Sequence, residues 1–183
     1  MKNRAPADAV KRGRLKFALL GAFFVVPVLV STLAWWLDLV PGSRANYGTL
    51  IAPRLLKPLP PEIRGKWVMV QFAGGACGAG CERKLYLMRQ VRRAQGKEMT
   101  RIERLWLLTD AVAPRAELLA AIEGTVLASA GALAAQFPAE RSVTEHVYLV
   151  DPLGNLMLRF PRDPEPARVI DDLKRLLRVS GFG

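Results

Sequence analysis

The sequence predicts an α/β domain preceded by one transmembrane helix. Two observations carry that expectation. The stretch from Phe17 to Leu37, FALLGAFFVVPVLVSTLAWWL, contains no charged residue, and beyond residue 62 short β-rich apolar runs alternate with segments whose apolar residues recur at helical spacing. The 51% hydrophobic composition of the 183-residue chain exceeds what a soluble domain of this length needs, and the excess is concentrated near the start.

Residues 1–16 read as a basic tail in which Lys2, Arg4, Lys11, Arg12, Arg14 and Lys16 are opposed by Asp8 alone. Residues 17–37 follow as the membrane helix, since a run of this length at about 1.5 Å per residue crosses a hydrocarbon core of about 30 Å. Pro27 is tolerable inside such a helix, and Trp35 and Trp36 suit the boundary between lipid and water. A cleaved signal peptide would have a shorter apolar core and small residues where Trp35, Trp36 and Leu37 stand. Only Asp38 and Arg44 flank the far side closely, so the positive-inside rule keeps the amino terminus in the cytoplasm. In a bacterial inner membrane the remainder faces the periplasm.

The net charge is +11, and about +6 of it stays with the exported part. A basic domain tethered at an anionic bilayer would be drawn to lipid headgroups or to an acidic partner; the plain alternative is a solvated basic surface. Nucleic acid is not an expected partner there.

Residues 38–62, rich in Pro and Gly, read as an extended linker with at most one short strand around Leu50 and Ile51. Residues 63–183 form the periplasmic domain. Trp67 to Phe72 is a β-rich run that can be buried on both faces, as central strands are. Leu85, Met88 and Val91 recur at helical spacing, predicting a helix from near Gly80 to near Gly96. RIERLWLLTD is the next strand, ending near Asp110. A second helix runs from Pro114 to Glu123, and the Ala-rich region from Ala116 to Ala135 is expected to be helical. EHVYLVDPLGNLMLRFP is a hairpin turning at Asp151 to Asn155. The last helix, opened by the acidic and proline-rich Asp163 to Pro166, turns Val169, Leu173, Leu176 and Leu177 inward. The order strand, helix, strand, helix, strand, strand, helix is thioredoxin-like, with a parallel first pair and an antiparallel last pair.

Both cysteines, Cys77 and Cys81, fall in FAGGACGAGCERK, where the first strand of this order gives way to the first helix. Glycines at 74, 75, 78 and 80 permit turns closed to other residues and expose the backbone to a partner. The positive end of the helix dipole, with Arg83 and Lys84, favours a thiolate, which is both nucleophile and metal ligand. Four positions apart on a helical turn, the sulfurs can also meet the distance window of a disulfide. A structural staple, a redox pair and a metal clamp therefore all remain open. Met69, Met88 and Met157 are expected in the core rather than as ligands. No carboxylate pair or serine-histidine arrangement points to hydrolysis, and one histidine with two cysteines cannot supply the four ligands of structural zinc.

RGKWVMVQFAGGACGAGC resembles the Sco (SenC) cytochrome c oxidase assembly family, which has a similar GKW strand and a CxxxC at the head of a helix. YLVDPLGNLMLRF resembles that family's hairpin, and an amino-terminal anchor fits as well. The resemblance covers roughly Ile63 to Leu177. It implies a thioredoxin-like fold serving the copper-bearing subunit of cytochrome c oxidase, by delivering copper as Cu(I) or by reducing the oxidase's cysteines. Cys77 and Cys81 match the two thiolate ligands, and both would be the reacting groups of a thiol-disulfide oxidoreductase. A third class is an interaction module that keeps the fold without the site. The family's histidine ligand would correspond to His146, the one histidine of the chain. It stands ahead of the hairpin tyrosine by an odd number of residues more than His146 stands ahead of Tyr148, so strand alternation predicts that His146 faces away from the cysteines.

Overall fold

The structure, a computed structural model, describes residues 7–37, 46–138 and 141–181. The chain forms two compact units, residues 1–45 and residues 46–183.

The first unit is helix α1, Ala7–Trp36. Residues 13–34 are long and apolar enough to cross a membrane, with a mean hydropathy of 2.3, and make a candidate transmembrane span. The helix does not begin where the charges end. It takes in Lys11, Arg12, Arg14 and Lys16, expected as a separate tail, because straight-chain basic residues are good helix formers. Lys2, Arg4 and the stretch 38–45 lie outside the described residues.

In the second unit strands β1 (Thr49–Leu55), β2 (Trp67–Ala73), β3 (Ile102–Leu108), β4 (Val126–Ser129), β5 (Val147–Val150) and β6 (Asn155–Arg159) form one sheet in the order β1-β6-β5-β2-β3-β4. Helices α2 (Ala79–Arg93), α3 (Ala116–Ala121) and α4 (Pro166–Val179) complete it. β3 runs parallel to β2 and β4 parallel to β3, each pair joined through a helical crossover. β5 lies antiparallel on the other side of β2, and β6 antiparallel to β5. The turn between them is set by Asp151, whose Oδ1 accepts from the amides of Leu153 at 2.9 Å and Asn155 at 2.7 Å, and by Gly154 at φ +91°. The fold is thioredoxin-like α/β, as the element order predicts.

Two segments differ from expectation. Residues 46–62 belong to the folded unit rather than to a linker: β1 pairs antiparallel with β6, and Leu56 is buried. β1 contains the short strand expected around Leu50 and Ile51 and runs on to Leu55; its side chains are mostly exposed and Pro53 interrupts its pattern, so backbone pairing holds it. A register irregularity between Leu50 and Arg54 brackets that proline, which has no amide to give to a ladder. The Ala-rich region is not continuously helical. α3 ends at Ala121, Gly124 follows at φ +76°, β4 takes Val126 to Ser129, and a 3-10 turn spans Gly131–Gln136. The β-branched Thr125 and Val126 after a left-handed glycine favour a strand over more helix.

β2 is buried along its whole length and separates two cores. On one side Trp67 and Met69 pack with Leu85, Met88 and Val91 of α2 and with Val169, Leu173 and Leu177 of α4. On the other, Val68, Val70 and Phe72 meet Leu56, Ile63, Leu133 and Phe137. Phe137 fills the space between Phe72 and Tyr148, with ring centroids 4.8 and 5.0 Å away in edge-on contacts. Met69 and Met88 are fully buried and Met157 packs against the first core, which is the structural role expected of them.

A polar clamp fastens the start of this unit. Asp172 on α4 is buried and accepts from the amides of Tyr47 at 3.0 Å and Gly48 at 2.8 Å, while the Tyr47 hydroxyl accepts from the amide of Glu165 at 2.9 Å. Two backbone donors are thereby paired inside the protein.

Candidate functional site

β2 ends at Ala73 and α2 begins at Ala79, and the loop between them carries the candidate site. Gly74 and Gly75 are there because nothing larger fits. A Cβ at Gly74 would stand 2.2 Å from Oδ2 of Asp110, and one at Gly75 would stand 1.7 Å from the carbonyl oxygen of Val112. Asp110 fixes this approach, its Oδ1 accepting from the amides of Gly75 at 2.8 Å and Val112 at 3.1 Å. Gly78 and Gly80 differ, since open space lies beyond both. The loop is thus packed on its strand side and free on its helix side.

Cys77 lies at φ +36°, a region non-glycine residues seldom occupy, and its amide donates to the carbonyl of Gly74 at 3.1 Å. Gly78 caps α2 through its backbone, its carbonyl accepting from the amides of Cys81 at 2.9 Å and Glu82 at 3.1 Å. Cys77 and Cys81 are joined in a disulfide with Cα atoms 5.3 Å apart. The two sulfurs are not equivalent in surroundings: Cys77 is 4% exposed and sits in the core, whereas Cys81 is only partly buried.

Cys81 opens on a cleft of about 730 Å³ shared with Gln71, Lys84, Tyr86, Thr144 and Arg162. Lys84 donates to the carbonyl of Thr144 at 2.9 Å, and burial, followed by the charge of Arg162, lowers its pKa from the usual 10.5. Gln71, which lines the cleft, is 1% exposed. Its Nε2 donates to the carbonyls of Phe72 at 2.7 Å and Thr144 at 3.1 Å, and its Oε1 is buried with no partner. The one signal of Gln71 in the sequence is a polar residue inside the apolar run WVMVQFA. The first turn of α2 is braced by an ion pair between Glu82 and Arg115.

The structure brings Cys77 and Cys81 together and does not bring His146 to them. His146 precedes β5, and its Nδ1 stands 2.8 Å from the carbonyl oxygen of Phe160. Its ring centroid is 6.2 Å from that of Tyr148, which belongs to the second core, whereas Val147 and Leu149 belong to the core that holds Cys77. Among the described residues no three His, Cys, Asp or Glu side chains are grouped to hold a metal ion.

A central β2, a crossover helix with a cysteine pair at its head and an antiparallel hairpin define a thioredoxin-like protein. The family described as transmembrane-like, thioredoxin-like, C-terminal domain matches residues 67–180, and the chain belongs to it. No curated protein matches it in sequence. Among solved structures it is similar to yeast Sco1 with copper bound, at TM-score 0.57 and 13% identity over 76% of this chain and 96% of that one. It is also similar to apo Sco1 from Thermus thermophilus, at 0.53 and 18% over 74% and 99%. Copper-bound ScoI from Bradyrhizobium japonicum follows at 0.48 and 20% over 62% and 87%. At these identities the likeness is one of fold.

Proposed function

We propose that this chain is a Sco-like accessory factor of cytochrome c oxidase that carries Cu(I) for the copper-bearing subunit between reduced Cys77 and Cys81. It is anchored once in the bacterial inner membrane by α1, with its amino terminus cytoplasmic and its thioredoxin-like domain periplasmic. The observation that carries the reading is the loop itself. Two sulfurs within bonding distance stand at the head of α2, with open space beyond Gly78 and Gly80 for a partner. The fold shared with Sco1 structures supports it.

The donor set fits the cargo. Cu(I) is a soft ion that accepts thiolates at low coordination number, so two sulfurs can hold it without a third protein ligand. The positive end of α2 favours their ionised form, and the packed side of the loop holds them in register while the open side admits the recipient. The disulfide must first be reduced, because a disulfide has no thiolate to offer.

Anaerobic titration of the reduced protein should find about one Cu(I) per chain, abolished by Cys77→Ser or Cys81→Ser. A periplasm-dependent reporter fused after Trp67 should be active. The closed disulfide favours one second reading, a thiol-disulfide reductase acting on the oxidase's cysteines. That protein would cycle between dithiol and disulfide without retaining metal.

A further inference from the structure

The positive charge of the folded unit is concentrated at the end of α2 farthest from the cysteines, about 20 Å along that helix at 1.5 Å per residue. Arg93 is exposed there, and Lys97 is exposed in the 3-10 turn Gly96–Arg101 that follows. This turn lies against the end of α4, because Arg101 donates to the carbonyls of Leu177 at 3.0 Å and Ser180 at 2.6 Å. On α4 itself Lys174 and Arg178 are exposed. Among the described residues none of these four cations forms an ion pair. Two nearby acids are already engaged, Glu98 by Arg101 at 2.8 Å and Glu103 by Lys66 at 2.7 Å, and the exposed Asp171 leaves the excess positive. Beneath α2, Arg104 is buried without an ion pair, its Nη2 donating to the carbonyl of Glu123. It does not reach the surface, but its charge adds to the field there. Basic residues at helix ends offset the negative ends of the dipoles. That role does not account for the apolar side chains placed among them: Val179 is 87% exposed and Met99 37%.

We propose that this end of the domain docks on a bilayer of anionic phospholipid, with Arg93, Lys97, Lys174 and Arg178 at the phosphates and Val179 and Met99 entering the headgroup boundary. Cations spread over two helices and a turn match a surface that carries many phosphates, and exposed apolar side chains set among long basic ones suit an interfacial contact. Anchorage by α1 supplies the lipid at high local concentration, and the inference rests on the proposed function in that respect alone. It deepens that reading by giving the domain an orientation: docked by this end, it turns the cysteine loop away from the headgroups and toward a partner.

The full chain, with its native disulfide closed, is reconstituted in vesicles of phosphatidylcholine alone or with about one third phosphatidylglycerol. A dye is attached through Thr100→Cys in the basic turn, or for reference through Ala113→Cys beside the cysteine loop, and a lipid with a quencher on its headgroup reports contact. Quenching at position 100 should be at least about twofold greater in the anionic vesicles and should vanish near about 1 M salt, while position 113 stays unquenched. Lys97→Gln and Arg178→Gln should lower the attachment constant about fivefold for each cation removed, without moving the denaturant midpoint, since both side chains are exposed. Equal quenching in the two lipids, or quenching at position 113 instead, would overturn the proposal. A response at position 100 to polyglutamate in neutral vesicles, with none to the anionic lipid, would also overturn it and make the patch a site for an acidic protein. Flotation with the vesicles after an alkaline carbonate wash reports anchorage separately, and no readout uses copper, so failure of docking is distinguishable from failure of the proposed function.

Discussion

Nδ1 of His146 stands 2.8 Å from the carbonyl oxygen of Phe160, and because a carbonyl only accepts, the proton of this hydrogen bond sits on Nδ1. The bond ties the ring to the end of the hairpin, on the face it shares with Tyr148. His146→Ala should therefore change Cu(I) affinity of the reduced protein by less than about threefold, or about 0.7 kcal/mol. A hundredfold loss in competitive titration would mean that the ring swings to the sulfurs when metal is present.

The glycines of the cysteine loop should separate into two classes. Gly75→Ala drives a methyl group into the Val112 backbone, which cannot swing aside as a flexible side chain can, and should cost about 2 kcal/mol or more in denaturant unfolding. Gly80→Ala meets nothing and removes flexibility from a helical turn, so it should be neutral or stabilise by up to about 1 kcal/mol. Equal destabilisation by both would contradict the packed-side, open-side description.

Tyr148 gives the fold an alkaline limit. Burial pushes its phenol up to about 12 from 10.0, with Arg159 opposing and Glu145 reinforcing, while its hydroxyl donates to the carbonyl of Pro138 at 2.9 Å. An acid whose folded pKa is raised holds its proton better when folded. Its contribution is therefore complete below pH 10.0 and is lost as pH rises toward about 12. Denaturant midpoints should fall across that window in the wild type and fall less in Tyr148→Phe.

Asp172→Ala leaves the amides of Tyr47 and Gly48 without their acceptor and should destabilise the domain by about 2 to 3 kcal/mol. Hydrogen exchange should accelerate at those two amides well beyond any change in β2. Uniform acceleration would instead mean that Asp172 supports the whole fold.

The sequence revealed most where burial left a helical period or an unbroken apolar run. α2 and α4 follow from helical recurrence, β2 and β3 from short apolar β-rich runs, which strands buried on both faces produce, and the hairpin from its turn residues. β1 showed only as a short strand around Leu50 and Ile51, since an edge strand held by backbone pairing needs no apolar alternation along its full span, and β4 was hidden because its four residues lie in an Ala-rich context that reads as helix. The cysteine pair was legible from its spacing, and the turn of His146 away from it from strand parity. Gln71 and Asp172 were not, since a polar residue buried for its hydrogen bonds leaves no periodic trace.

The sheet ends in β1 on one side and β4 on the other, and neither invites another strand. β1 carries Pro53, which cannot donate, next to the charge of Arg54 and a register irregularity; β4 offers only four residues. Such edges resist the edge-to-edge pairing that leads to aggregation. At high local concentration this domain can be crowded without its sheets annealing. Recognition by strand addition is closed by the same features.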